Sequence, residues 1–118
     1  MKKNYSDSDP LFAITKAYNE ATRMLEFHSV PIEADRLQEA LDIIKDYNAF
    51  DSKTVGPVLL KKFTDCRFIV GRESSVVVYV VPKVPYYFWP EHLQKVQEEA
   101  SIDEVCTTSE GRVRLWWD

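Results

Sequence analysis

The sequence predicts an α+β domain: an N-terminal helical hairpin with a third short helix behind it, then ββαββ on a mostly antiparallel sheet. Three observations carry this expectation. Apolar residues recur at spacings of three and four through the first fifty positions, the mark of amphipathic helices. The period falls to two after Cys66. A helical pattern opened by Pro90 then separates one hairpin-like stretch from another at the C-terminus. At 118 residues, 45% hydrophobic and 29% charged, the chain suits one domain over 1–118. A chain of this size buries about two thirds of its unfolded surface. Residues 1–8 read as a flexible tail.

The first helix starts with a mechanism. Asp9 stands at the N-cap, where a carboxylate accepts from orphan N–H groups, and Pro10 at the next position has no N–H to waste. Leu11, Ile14, Tyr18, Ala21, Leu25 and His28 then share one face, with Ala17 and Met24 widening it, so the helix is expected over about 10–28. Ser29-Val30-Pro31 breaks it, because proline disfavours helical geometry at the residue before it. Glu33 and Asp35 favour a new N-terminus, and Ala34, Leu37, Leu41, Ile44 and Tyr47 form a second face ending near Asn48. Asp51 to Thr54 is polar punctuation. Pro57 is expected to open a short third helix that turns Leu59, Leu60 and Phe63 inward.

Cys66–Val70 and Val76–Val81 read as strands around a four-residue loop, Gly71-Arg72-Glu73-Ser74. Pro82 and Pro85 end the second strand. Leu93, Val96 and Ala100 give the Pro90 helix its inward face. Asp103–Thr108 and Arg112–Trp117 form the second hairpin around Ser109-Glu110-Gly111. Residues 76–81 are apolar at every position, so both faces of that strand require cover. There is enough helix to cover both sides of the sheet, and that arrangement is expected ahead of a second subunit on one side.

Formal net charge is −4, unevenly spread. Residues 1–50 hold six basic and nine acidic groups, residues 51–90 six and three, and residues 91–118 three and seven. Nucleic-acid binding would use the basic 53–83 region with aromatic stacking platforms. The overall negative charge repels a phosphate polymer, and no RNP-like, GxxG or helix-turn-helix signature is present. No run of about 18 apolar residues is present, so no membrane span is expected. The N-terminus has no apolar stretch behind its lysines, and two widely spaced cysteines make no disulfide framework. Reduced thiols in a cytoplasmic setting are expected.

The residues available for chemistry are few. His28, Cys66, His92 and Cys106 are the zinc-type ligands, but none forms a close pair such as CxxC. A cysteine nucleophile needs a histidine and an orienting carboxylate beside it. Both cysteines instead fall inside expected strands, where a small buried hydrophobe is the usual role. Three glycines leave no phosphate loop and no nucleophile elbow. No cofactor, metal or catalytic residue is therefore assigned. A small enzyme using Cys or His is the alternative function, and a nucleic-acid-binding domain the second alternative.

The remaining features point to a protein partner. In the last strand Val113, Leu115 and Trp117 share an apolar face, while Arg112, Arg114 and Trp116 share a polar one. Aromatic residues beside arginine are enriched where proteins meet. The run Tyr86, Tyr87, Phe88, Trp89 is held between Pro85 and Pro90 and cannot bury four rings on one side. Tyr86, Tyr87 and Trp89 are assigned to the partner surface with Arg112, Arg114 and Trp116; the alternative is that the run lids the core, with an arginine over a tryptophan as an internal cation–π contact. Glu98 and Glu99 join them: in the last turn of a helix they oppose the macrodipole by ~0.3–1 kcal/mol each, so helix stability does not explain them. They are expected to pair with Arg112 and Arg114 or with a basic partner.

In size, acidity and lack of catalytic motifs the chain resembles small bacterial or phage-encoded proteins that act by binding, such as immunity proteins and anti-defence inhibitors. The likeness is one of composition. It implies a stoichiometric inhibitor or regulator of another macromolecule, and leaves a homodimer open.

Overall fold

The computed structural model describes residues 5–19 and 26–118. Helix α1 (Pro10–Ala17), strand β1 (Glu26–His28), helix α2 (Ala34–Ile44), short strands β2 (Asp46–Tyr47) and β3 (Phe50–Asp51), and helix α3 (Ser52–Lys62) come first. Strands β4 (Cys66–Glu73) and β5 (Ser75–Pro82), helix α4 (Pro90–Glu99), and strands β6 (Glu104–Thr107) and β7 (Val113–Trp116) complete the chain. Five strands form one sheet in the order β1-β4-β5-β7-β6, every neighbouring pair antiparallel. The α+β class and the helix-then-strand order are those the periodicity predicts.

Helix α1 begins as its sequence dictates, with Asp9 Oδ1 accepting from the Leu11 N–H at 3.0 Å and Pro10 at the first helical position. It does not run to His28. Tyr18 is its C-cap, Ala21, Met24 and Leu25 lie outside the described residues, and His28 belongs to β1. Residues 26–28 pair with Gly71–Glu73 of β4, a sheet edge that helical periodicity cannot register. Of the tail expected at 1–8, residues 1–4 lie outside the described residues, and the Tyr5 hydroxyl donates to Glu39 Oε2 at 2.8 Å.

Helix α2 stops at Ile44 rather than near Asn48. Lys45 and Asn48 adopt left-handed φ of 66° and 54°, and the chain turns through the β2–β3 ribbon. This turn plants Phe50 in the core, edge-on to Trp117 at 5.1 Å. Helix α3 starts five residues ahead of Pro57, because Asp51 caps it: its carboxylate accepts from the Lys53 N–H at 3.2 Å and the Thr54 hydroxyl at 2.9 Å. Pro57 therefore sits inside the helix, where its missing N–H leaves the carbonyl four residues back, on exposed Lys53, to solvent.

The β4–β5 turn is tighter than the expected four-residue loop. Glu73 pairs directly with Ser75, and Ser74 alone turns the chain at φ 63°. Gly71 is thus a strand residue, and its lack of a side chain has a different use: a Cβ there would run into the Phe27 carbonyl oxygen of β1. Arg72 is also in the strand, only 4% exposed. Its Nη2 donates to the Tyr47 hydroxyl at 3.1 Å, and its guanidinium lies 5.2 and 5.8 Å from the ring centroids of Tyr47 and Tyr18.

The core occupies one side of the sheet only. Val76, Val78 and Val80 share that side with Phe68, Val70, Val113 and Leu115, and the buried faces of α1, α2, α3 and α4 join the same cluster. Trp117 is fully buried there, with its Nε1 donating to the Ala100 carbonyl at 2.9 Å. This corrects the expectation that helices cover both faces. The turn at Ser74 and the short β6–β7 hairpin leave no segment to cross to the far side, and among the described residues no helix lies there. The far side carries Ile69, Val77, Tyr79, Arg114 and Trp116. Val77 is nonetheless fully buried, with Trp116 opposite it on β7.

Candidate functional site

Two surfaces hold the residues assigned to a partner, and their chemistry differs. The first is the far face of the sheet, organised around Glu73. The Glu73 carboxylate accepts from the Tyr79 hydroxyl at 2.6 Å, from His28 Nε2 at 2.6 Å, and from Arg114 through Nε at 2.9 Å and Nη2 at 2.7 Å. Burial pushes this carboxyl up, but the bonds from Tyr79, His28 and Arg114 outweigh it and hold it below the ordinary glutamate range. Burial and the Glu73 charge push the Tyr79 hydroxyl up. The Arg114 cation, opposed by burial, is held in its charged form by Glu73 and Glu104.

Trp116 closes this face. It stands opposite Val77, and its Nε1 donates to the Glu73 backbone carbonyl at 2.8 Å. Since β5 separates β7 from β4 and Glu73 pairs with Ser75, the indole must reach across β5 between Val77 and Ser75. The Glu73 carboxylate, the Tyr79 hydroxyl, the Arg114 guanidinium and the Trp116 indole are matched from within, whereas the buried Ser75 hydroxyl beside them has no partner among the described residues. Sequence reading missed Glu73 because it placed that residue in a loop.

The second surface is the segment 83–89 between β5 and α4, a strap without regular secondary structure. The Lys83 N–H donating to the Asp65 carbonyl at 3.0 Å fixes its start, and the helix opened by Pro90 fixes its end. The strap is extended, so its rings alternate. Tyr86 meets Phe88 edge-on at 4.8 Å, and Tyr87 meets Trp89 edge-on at 5.7 Å. Phe88 anchors it, edge-on to buried Phe63 at 5.1 Å and stacked on His92 at 6.0 Å. The other rings face outward: Tyr86 is 60% exposed, Tyr87 63%, Trp89 65% and neighbouring Val84 66%. Neither tyrosine hydroxyl nor the Trp89 indole N–H has a hydrogen-bond partner among the described residues.

Beside the strap lies a cleft of about 290 Å³, lined by Tyr86, Phe88, Trp89 and His92 on one wall and by Lys62 and Thr64–Cys66 on the other. No sequence motif joins these walls; the pairing of Cys66 with Pro82 at the end of the β4–β5 ladder does. A second groove, lined by Tyr86, Pro85, Glu110 and Arg112, runs from the strap to the β6–β7 turn. Arg112 therefore borders both the groove beside Tyr86 and the far sheet face, where Arg114 and Trp116 lie with the Glu73 cluster.

Glu98 and Glu99 are not with them. Glu99 pairs with Lys62 at 3.2 Å across α3 and α4, and Glu98 is exposed without an ion pair among the described residues. The expected pairing with Arg112 and Arg114 is absent because those arginines face the side of the sheet opposite the helices. The four metal-type ligands are also scattered: His28 lies on the far face, Cys106 is exposed on edge strand β6, and Cys66 and His92 line the cleft. The exposure of Cys106 corrects the expectation that both cysteines are buried. Cys66 is buried and its thiol donates to the Thr64 carbonyl at 3.3 Å, while His92 Nε2 lies 2.8 Å from the Lys62 carbonyl. Burial, then the Asp65 charge, pushes the Cys66 thiol up, away from the thiolate a nucleophile requires.

Among the described residues no three His, Cys, Asp or Glu side chains converge as a metal site, and no helix is long and apolar enough to cross a membrane. The chain matches no known protein family, no curated protein and no solved structure.

Proposed function

We propose that this protein works by binding another protein through the aromatic strap 83–89, as a stoichiometric inhibitor or regulator in the manner of an immunity or anti-defence protein. One observation carries the reading: Val84, Tyr86, Tyr87 and Trp89 are four large apolar side chains exposed within six residues, on a segment pinned at both ends. Exposed apolar patches mark interaction sites, and aromatic rings held in place bind with little ordering cost. The unpaired hydroxyls and indole N–H add donors that a partner can satisfy.

The nucleic-acid alternative loses support from the same structure. Of the basic residues in 53–83, Lys62 pairs with Glu99, Arg67 and Lys83 pair with Glu33, and Arg72 is buried. A phosphate backbone would find only Lys53 and Lys61 uncommitted. Two free cysteines accord with a reducing, cytoplasmic setting.

The test compares the wild type with Tyr86→Ser/Tyr87→Ser/Trp89→Ser as baits in lysate of the native host. The exposed positions of these rings predict an unchanged unfolding midpoint. The wild type is expected to retain one protein in stoichiometric amount that the triple variant loses. Identical recovery by both baits overturns the proposal. A concentration-dependent mass in sedimentation, abolished by the triple change, would identify the partner as a second copy of this chain.

A further inference from the structure

We infer that the cleft beside the strap is a receptor for a cationic side chain, an arginine presented by the partner protein, which enters between the aromatic wall and the Asp65 carboxylate. The inference rests on the strap as the binding surface and names what that surface takes. Tyr86 and Phe88 meet at an interplanar angle of 70°, and Trp89 adds a third ring to the cleft. Ring faces are electron-rich and attract a cation.

The charges around the cleft set the sign of its ligand. Lys62 is already committed to Glu99 at 3.2 Å, and Lys83 to Glu33 at 3.1 Å. Asp65, exposed and in the cleft wall, has no ion pair or side-chain hydrogen bond among the described residues. It is therefore the one uncompensated charge lining the cleft. His92 brings no competing donor, since its Nε2 is taken up by the Lys62 carbonyl. An anion would meet this carboxylate across a wall made largely of aromatic carbon. A neutral apolar group would leave the carboxylate desolvated and unpaired. A guanidinium satisfies both walls: its flat face stacks on a ring while its edge donates to both oxygens of one carboxylate, which the compact ammonium of lysine cannot do.

The experiment titrates the intact protein with three blocked tripeptides, Gly-Arg-Gly, Gly-Lys-Gly and Gly-citrulline-Gly, followed by the Trp89 indole and Asp65 amide signals in nitrogen–proton correlation spectra. Citrulline keeps the planar shape of arginine and removes the charge. The arginine peptide is expected to bind at least about tenfold tighter than citrulline, as a cation–π contact and a charged hydrogen bond together require, with lysine between them. Asp65→Asn is expected to cut the preference to the share that the aromatic wall supplies while keeping the fold, because asparagine tolerates the left-handed φ of 54° at this position. Trp89→Ala is expected to weaken all three peptides. Equal binding of arginine and citrulline, shifts confined to residues away from the cleft, or an unchanged preference in Asp65→Asn overturns the inference. The lysate experiment separates this failure from that of the strap itself. A partner retained by Asp65→Asn but lost by the triple serine variant leaves the strap standing and removes the cation; a partner retained by both removes the strap.

Discussion

Trp116→Ala separates two views of the same ring. Its position on the polar face of β7 makes a dispensable, partner-facing indole the natural reading, with an unchanged midpoint on removal. The structure requires the opposite. The half-buried indole stands opposite fully buried Val77, crosses β5 beside it and donates to the Glu73 carbonyl. Truncating a core tryptophan costs about 3–5 kcal/mol, and a partly exposed ring belongs at or below the low end. Within that figure the lost hydrogen bond accounts for about 1 kcal/mol and the uncovering of Val77 for about another 1 kcal/mol. We expect a loss of about 3 kcal/mol, equivalent to a fall of about 12 °C in Tm at the usual entropy of unfolding per residue. Trp116→Phe keeps most of the cover and loses only the donor, so it should cost about 1 kcal/mol. Urea unfolding followed by far-ultraviolet circular dichroism measures both without relying on tryptophan emission. An alanine variant within about 0.5 kcal/mol of wild type, the range of an ordinary surface change, would refute the roofing argument. Equal losses in Phe and Ala would refute the division between cover and hydrogen bond.

Three further outcomes follow from the far face and its surroundings. Glu73 titrates below its ordinary value in the fold, so its contribution is present above the unfolded carboxylate range and lost as pH falls through the depressed value. Glu73→Gln should cost about 2 kcal/mol at neutral pH, given charged hydrogen bonds at a site roughly one-fifth exposed, and should flatten the acid limb of the stability curve; an unaltered acid limb would count against the cluster. Gly71→Ala should destabilise by about 2 kcal/mol, because a methyl group meets the Phe27 backbone rather than a side chain that can swing away. Hydrogen exchange should show β1 released first, and a neutral substitution would mean β1 is not seated there. Native protein should react with a thiol reagent at exposed Cys106 and not at buried Cys66, the second equivalent appearing on unfolding; prompt reaction of both would contradict the packing of Cys66.

How far the fold could be read locally depends on which partner each segment has. The Asp9-Pro10 cap, the α2 stripe and the β6–β7 hairpin are set by their own residues, and the structure keeps them. The assignment of Trp117 to the apolar face and Trp116 to the polar one also holds, since alternation alone fixes it. Strand β1 was not legible, because Glu26–His28 are made a strand by the edge of β4. Gly71 and Glu73 were misplaced in a loop because glycine beside polar residues signals a turn, whereas Ser74 makes the turn alone. Geometry alone says only that at least one ring of the 86–89 run stays accessible; that three are exposed and Phe88 is the anchor depends on the contact with Phe63. The other wall of the cleft was not legible: Asp65 gains its role from the Cys66–Pro82 register, and no local pattern announces it.

The two aromatic surfaces also differ in what they leave undone, and this difference decides between them. On the far face, Glu73 uses both carboxylate oxygens, Arg114 serves two acids, and the Trp116 indole donates inward. A partner docking there would have to break bonds before making any, and charged hydrogen bonds of this kind are each worth about 1.5–3 kcal/mol. On the strap nothing needs breaking. Tyr86, Tyr87 and Trp89 present apolar area and unmatched donors, while Phe88 and Pro90 hold the segment in place. Binding free energy is what survives the costs of desolvation and ordering, and the strap keeps both small. The far face of the sheet, for all its arginines and its tryptophan, is a closed internal network at the molecular surface. A partner of the kind proposed would therefore gain most at the strap and its cleft.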